Sequence, residues 1–422
     1  MAIKDTNNTQ QIEEVKELLR TLDAQLRQVS KTLQSEALQD VLNNSLHSTE
    51  KLPAAELVTV AKDVVDSMDS LQLQLVPSVM LLADGFFGYL HSKSMATLVS
   101  YKVPDILKEH GPLPCSEIGP LVGAQPERIA QLMDMVVNNG IFTYDEAAGK
   151  YSNNRCSLLL CRDHWTQWHL WADLYPNQFF NMSRSIPAAI AEGEKKNAAQ
   201  IDYGTDLSIF DYLAQQGEIA IFHRTLGAGA KAMAGGIAVD YPWKELGDAE
   251  IVDLGGGSGD FLAEVLRANP SLRGSLVDLQ HVIDLVTKSV REPEGSLIDV
   301  SPRIVNLYVG DFFGDILPAS VYTMKWCLHN WMDDDVVRIL NNARAKLVPS
   351  PLSRFIVFES VKKPGRSTRL PRYGDLVMMM TCNGKERSLQ DWERLAQLSG
   401  WRLNRVLPIR NAWVSAIEML PQ

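Results

Sequence analysis

His329 lies just past the apolar segment Val321-Tyr322-Thr323-Met324, in the run Lys325-Trp326-Cys327-Leu328-His329-Asn330-Trp331. A side chain with an unperturbed pKa of about 6.5 suits a general base at physiological pH. A base of this kind needs an orienting partner. Two carboxylates are candidates: Glu359, which ends the apolar run Phe355-Ile356-Val357-Phe358, and Glu386, in Gly384-Lys385-Glu386-Arg387. Either could hold the imidazole in its reactive tautomer. A base so held can take the proton of a phenol and leave an oxygen nucleophile able to attack a methyl sulfonium in line.

A ligand site is encoded upstream. Ile251-Val252-Asp253-Leu254 reads as a buried strand, Gly255-Gly256-Gly257-Ser258-Gly259 as a loop, and Phe261 to Leu266 as the start of a helix. Glycine permits positive φ and close approach of a ligand to bare backbone, and a helix N-terminus offers unpaired N–H groups. The dinucleotide fingerprint needs a third glycine or alanine; here that position is Asp260. Acidic residues around the loop suit an amine-bearing ligand better than a pyrophosphate, and S-adenosylmethionine carries a sulfonium, an ammonium and no phosphate. Asp278 ends the next strand, 23 residues after Gly255, where an acid holds ribose hydroxyls. Gly310-Asp311-Phe312-Phe313 follows strand 304–308; an acid and an aromatic ring there can bond an adenine amino group and stack on the ring.

These residues must be carried by ordered elements. From about residue 236 the pattern alternates strand and helix, with strands expected at 250–254, 275–278, 304–308, 321–327, 355–359 and 413–418, a βαβ series with a parallel sheet. Residues 55–235 read as mostly helical. Within them a short helix opening at Pro114, a second from Gln125 to Val137, and strands 141–144 and 150–152 around a turn make a winged-helix pattern. Its second helix is not basic, and the net charge is −10, so nucleic-acid binding is not expected; a dimerisation module fits better. Residues 10–46 carry apolar positions at helical spacing, from Ile12 to Leu33. Trp165, Trp168 and Trp171 recur at a spacing that predicts one helical stripe, shared by His164 and His169, as core or as the wall of an aromatic pocket.

The 422 residues suffice for more than one domain. No apolar run approaches the ~20 residues of a membrane span, and the start of the chain lacks the build of a signal peptide. Five scattered cysteines without a C-x-x-C pair predict neither zinc site nor disulfide framework, and a cytoplasmic location.

Residues 236–422 resemble the S-adenosylmethionine-dependent O-methyltransferases of the plant caffeic-acid type and their fungal relatives. The resemblance rests on Asp253–Gly259, Asp278-Leu279-Gln280-His281-Val282, Gly310–Phe313, Lys325–Trp331 and Gly384–Arg387, and with the winged-helix region covers roughly residues 70 to 420. It implies a class I, Rossmann-like α/β domain with a mostly parallel seven-stranded sheet, preceded by a helical winged-helix dimerisation domain. The expected division is a helical extension at 1–70, a dimerisation and lid domain at 71–235 and a cofactor-binding catalytic domain at 236–422. It implies His329 as base flanked by Glu359 and Glu386. Asp253, Gly255, Gly257, Asp278, Asp311, Phe312 and Lys325 are expected at S-adenosylmethionine, and Trp168, Asp375 and Met379 at a small-molecule acceptor, with no metal. A homodimer is implied, the partner chain helping to close the pocket.

Three departures stand out. Asn330 replaces the family's usual Asp, Gln280 its usual Pro, and the N-terminal 70 residues exceed the typical plant enzyme. The expected activity is O-methylation of an aromatic or polyketide-like hydroxyl. The alternative is a methyltransferase-like pericyclase, cyclase or dehydratase acting on a polyketide-pyridone-type substrate without consuming the cofactor.

Overall fold

The computed structural model describes residues 2–422, with side chains from residue 9 onward. The chain forms two compact units, Met1–Ala61 and Lys62–Gln422. In the first, helices Ala2–Leu33 and Glu36–Asn44 account for most residues. The predicted stripe is present as a helical face, but Ile12, Val15, Leu18, Leu26, Val29 and Leu33 are all exposed.

The second unit begins with helical structure. Helices Val103–His110, Cys115–Val122 and Pro126–Val137 precede the hairpin β1 (Thr143–Asp145) and β2 (Lys150–Ser152). Leu98, Val103, Leu107, Ile118, Ile129, Met133, Val136 and Phe142 form their common core. Tyr151 fixes the wing to the last helix by donating to Asp134 Oδ1 at 2.6 Å. This is the winged arrangement expected from the sequence.

Strands β3 (Glu250–Leu254), β4 (Arg273–Asp278), β5 (Ile304–Val309), β6 (Val321–Lys325), β7 (Arg354–Glu359), β8 (Trp401–Pro408) and β9 (Ser415–Pro421) form one sheet in the order β5-β4-β3-β6-β7-β9-β8. The pairs among β3 to β7 are parallel; β9 runs antiparallel to both β7 and β8. Alternate side chains go to opposite faces. Ile251, Val321, Ile356 and Phe358 pack under helices Asp260–Ala268 and Gln280–Arg291. Val252, Met324, Phe355 and Val357 pack under helices Asp333–Ala345 and Leu389–Leu398. Burial on both faces is why these strands read as unbroken apolar runs. Strand order reverses between β3 and β6, so their C-terminal ends open a crevice, the usual ligand site of such sheets.

Three expectations are corrected. The last sheet strand begins at Ser415 rather than 413, and β8 was not foreseen. Trp165 precedes helix Trp168–Leu174, because Gln167 takes a left-handed turn (φ +52°); Trp168 and Trp171 share the helix and Trp165 and His164 do not. The divisions drawn at 70 and 236 fall inside the continuous helices Ala55–Leu75 and Ile219–Asp240. Among the described residues no single helix is long and apolar enough to cross a membrane.

Helix Ile219–Asp240 holds two adjacent glycines in different surroundings. A Cβ on Gly236 would lie 2.1 Å from the Arg410 carbonyl oxygen, whereas one on Gly235 meets nothing within 4 Å. Gly236→Ala is expected to cost about 1–3 kcal/mol by overpacking, and Gly235→Ala to stabilise by about 0.5–1 kcal/mol through helix propensity. Urea unfolding of the two variants checks the opposite signs.

Candidate active site

β6 ends at Lys325, and the chain turns at Trp326, which has a positive φ of 48°. The tight turn Leu328–Asn330 then sets His329 inside the protein at 7% exposure. Glu359, at the end of neighbouring β7, accepts the backbone amides of Cys327 at 3.1 Å and His329 at 3.0 Å through Oε1. Its carboxylate therefore fixes the main chain of the turn. Glu386 fixes the ring: its Oε1 lies 2.8 Å from His329 Nδ1. A carboxylate only accepts, so Nδ1 carries the hydrogen and Nε2 keeps its lone pair. Of the two acids left open by the sequence, Glu386 is the ring's partner.

Burial pushes the His329 pKa down, but the hydrogen bond and charge of Glu386, with the charge of Glu359, outweigh it, and the net shift is upward. Burial also pushes Glu359 up, against the charge of His329 and reinforced by Glu386. Oε2 of each acid is buried without a hydrogen-bond partner. The ligand-capable atoms of the three residues all lie within 4.8 Å of one another.

Glu386 is held in turn. Its amide donates to Asp375 Oδ1 at 2.8 Å, and Asp375 Oδ2 pairs with Lys362 Nζ at 2.8 Å. Asp375, expected at the acceptor, thus spends its hydrogen bonds on the support of Glu386. Lys385 N donates to the His329 carbonyl at 2.8 Å, and at Gly384 a Cβ would lie 2.0 Å from that same oxygen, so only glycine fits. Arg387 is fully buried. Its guanidinium donates to the Leu328, Trp331 and Lys385 carbonyls and to Asp333 Oδ1. Arg387 and Asp333 are the residues that motif reading missed; their signal was an arginine directly after Glu386 and an acid four residues after His329.

At the crevice, Asp278 accepts the Gly257 and Leu279 amides at 2.8 Å each. That fixes the carboxylate beside the glycine loop. Gly255 has φ +67°, and a Cβ there would meet Cys327 Sγ at 3.2 Å and Phe312 at 3.5 Å, so the bare backbone keeps the crevice open. Gly257 also takes a positive φ of 55°. Asp253 is buried and accepts from Thr323 Oγ1 at 2.9 Å; burial pushes its pKa up to about 7 against that bond and the Lys325 charge. Burial pushes Lys325 down to about 8, opposed by Asp253 and Asp260. A cavity of about 220 Å³ lies next to them, lined by Asp278, Leu279, Asp311, Phe312, Phe313 and Trp331 among others. An aromatic slot flanked by two carboxylates fits a flat base on a ribose. Trp331, edge-on to Phe313 at 4.8 Å between centroids, was not foreseen as a lining residue.

Trp168 and Trp171 join Trp326 and Trp413 in an aromatic cluster, with centroid separations of 5.1 to 6.4 Å. Trp168 is thereby tied to the turn after β6. Met379 is half-buried on helix Leu370–Cys382.

Residues 185–402 match the model of the O-methyltransferase domain, and residues 83–163 that of the O-methyltransferase dimerisation domain. The chain is 58% identical over 403 residues to the O-methyltransferase gliM of Aspergillus fumigatus, covering 96% of this chain and 94% of that protein. This chain belongs to the O-methyltransferase family. It is also 44% identical over 403 residues to the O-methyltransferase verK of Clonostachys rogersoniana, covering 96% and 99% of the two chains. The O-methyltransferase NcsB1 from neocarzinostatin biosynthesis, solved with S-adenosyl-L-homocysteine and 1,4-dihydroxy-2-naphthoic acid, superposes with a TM-score of 0.59 at 26% identity, over 79% of this chain and 96% of its own. The resemblance read from the sequence motifs is borne out. The two matched domains include the winged helices, the glycine loop and the His329 turn; helix Ala55–Leu75 precedes both.

Removing Arg387 would leave the Trp331 and Lys385 carbonyls and Asp333 Oδ1 without this donor, in a place with no exposed surface. Arg387→Met is expected to cost about 3–5 kcal/mol, as for one partner of a buried ion pair. Arg387→Lys is not expected to restore it, since an ammonium lacks the planar fork. Denaturant unfolding of both variants checks this.

Proposed function

We propose that this chain methylates a hydroxyl group of an aromatic or polyketide-like small molecule, with His329 as general base and S-adenosylmethionine as methyl donor. The observation that carries the reading is the buried imidazole whose Nδ1 is bonded to Glu386 at 2.8 Å, which leaves Nε2 as a directed base. The donor fits the residues present. Asp278 would hold ribose hydroxyls, Asp311 and Phe312 the adenine, the bare backbone at Gly255 and Gly257 its close approach, and Asp253 and Lys325 the floor beneath. When bound, S-adenosylmethionine supplies an electrophilic methyl group on a sulfonium. His329 Nε2 would take the hydroxyl proton of the acceptor, leaving a nucleophilic oxygen for that methyl group, whose bond to sulfur would be given up with S-adenosylhomocysteine as the leaving group. The imidazolium so formed is balanced by Glu386, and Glu359 keeps the turn from moving. Met379 and Trp168 would supply apolar wall to a flat acceptor.

His329→Ala is expected to lower kcat about 10²- to 10⁴-fold, the usual worth of a general base. Activity rises with pH as the base is deprotonated, and an upward-shifted His329 places this acid limb above the ordinary histidine value. Glu386→Gln removes the main upward contribution, so its limb moves to lower pH while kcat falls. Radiolabelled methyl transfer to a panel of phenols and hydroxypyridones, profiled against pH, tests all three. Substrate that rearranges with no S-adenosylhomocysteine formed would establish the pericyclase alternative in its place.

We further propose a homodimer formed through the N-terminal part of Lys62–Gln422. Helix Ser78–Ser100 exposes Val79, Met80, Leu82, Phe86 and Phe87 by more than half, and a contiguous apolar face of this kind marks an interaction surface. The dimerisation-domain match begins in the same helix. The double change Phe86→Asp, Phe87→Asp is expected to convert a dimer to a monomer in sedimentation velocity at micromolar concentration; a wild-type monomer would refute the proposal.

A further inference from the structure

Helix Ala55–Leu75 lies outside both matched domains, yet it is bonded to the loop that leaves the active site. Asp66 Oδ1 accepts the Ser367 amide at 2.6 Å and Oδ2 accepts Ser367 Oγ at 2.7 Å. These bonds hold the Asp66 carboxyl below its usual range. One turn along, Asp69 Oδ1 lies 3.4 Å from Arg366 Nε. Gly365 has φ +105°, and a Cβ there would fall 2.9 Å from Asp66 Oδ2. The loop backbone is bare where the carboxylate nests.

The gripped loop is mechanically central. It starts from Glu359 at the end of β7 and runs into helix Leu370–Cys382, which carries Asp375 and Met379. Its first residues are tied to the segment of Glu386 and to the following helix: Lys362 N donates to the Arg387 carbonyl at 2.9 Å, and Lys362 Nζ pairs with Asp375. Residues 363–366 have no such tie to the sheet in the hydrogen bonds of this region, and they carry Lys363 and Arg366, with Arg369 and Arg372 beyond. A run of like charges repels itself and extends unless countered. Asp66 and Asp69 supply the counter-charge from outside the catalytic fold.

We propose that Asp66 is a positioning residue for the acceptor, latching the 363–369 loop so that helix Leu370–Cys382 presents its acceptor-facing residues to His329. The proposal rests on the reading of the site as a methyl-transfer site with an acceptor beside that helix. Asp66 touches no reacting group. It acts through Ser367 on the entry to the helix, while the glycine loop that would hold the donor lies elsewhere in the chain, between β3 and helix Asp260–Ala268.

The test uses the full chain with Asp66→Ala and Ser367→Ala, and Asp63→Ala as an exposed carboxylate on the same helix. Hydrogen–deuterium exchange of segment 361–376 is read alongside KM and kcat for a phenolic acceptor and the affinity for S-adenosylhomocysteine. Asp66→Ala and Ser367→Ala are expected to raise exchange in 363–372 and to raise acceptor KM about tenfold, the order expected for loss of hydrogen bonds to a charged group. Cofactor affinity and melting temperature are expected to stay near wild type, and Asp63→Ala to change nothing. Unchanged exchange in the two latch variants overturns the proposal. Raised exchange with unchanged KM and kcat also overturns it, as does an equal loss of cofactor affinity, which would indicate general destabilisation. The two failures are distinguishable: a wild-type chain that methylates none of the phenols overturns the proposed function and the acceptor role with it, whereas unchanged exchange overturns the latch whether or not the chain turns over.

Discussion

The site depends on one buried cation. Arg387 has no exposed surface, and a guanidinium removed from water must find an acceptor for each of its N–H groups. It finds them in two separate segments: the Leu328 and Trp331 carbonyls and Asp333 on one side, the Lys385 carbonyl on the other. The turn holding His329 and the segment holding Glu386 are thereby one piece. Gly384 permits the close approach, and the Lys385 amide returns a bond to the His329 carbonyl. Burial works against the Asp333 charge, but Arg394, Lys385 and Arg387 hold its pKa at about 2. The cation that organises the loop thus keeps its counter-charge over the whole physiological range.

With the loop fixed, the electrostatics follow. Two acids and one imidazole are buried together, and each acid has one committed oxygen and one without a partner. A buried uncompensated charge is costly, so the cluster is poised to gain a positive charge. Protonation of His329 Nε2 supplies it. Under the proposed function, a neutral base at His329 would sit in surroundings arranged for its protonated state, the kind of electrostatic preorganisation that lowers a barrier. The upward shift of His329 is the equilibrium expression of the same arrangement.

Much of this was legible in the residues, and the exceptions have physical causes. Strands β3, β6 and β7 are buried on both faces, so each stands out as an apolar run; β5, at the sheet edge, exposes Val305 and Val309. β8 does not stand out, because Arg402, Asn404 and Arg405 punctuate an edge strand whose register shifts between Leu403 and Arg405; the bulge removes the period-two signal. The start of helix Trp168–Leu174 was misplaced because apolar spacing carries no information about the left-handed turn at Gln167. At the site, residue types and strand ends revealed His329, Glu359 and Glu386, but not which acid takes the ring and which the backbone. That is set by tertiary placement across β6 and β7. The family resemblance of its helix places Asp375 at the acceptor; the tertiary placement that turns it toward the Glu386 amide has no signal in the residues.

The departure at Asn330 has a local rationale in the same fold. Its Oδ1 lies 3.5 Å from Cys382 Sγ, the last residue of helix Leu370–Cys382. A helix C-terminus is the negative end of the macrodipole, and this part of the site already holds two acids, Glu359 and Glu386. An aspartate at 330 would add a further negative charge against that helix end and against a thiol whose burial already disfavours ionisation. Asparagine offers the same acceptor oxygen without the charge. What is lost is one possible contribution to the basicity of His329, and the ring does not depend on it: its hydrogen bond and the larger part of its upward shift come from Glu386. The substitution therefore leaves the hydrogen bond to the His329 ring intact and places no added charge against the end of helix Leu370–Cys382.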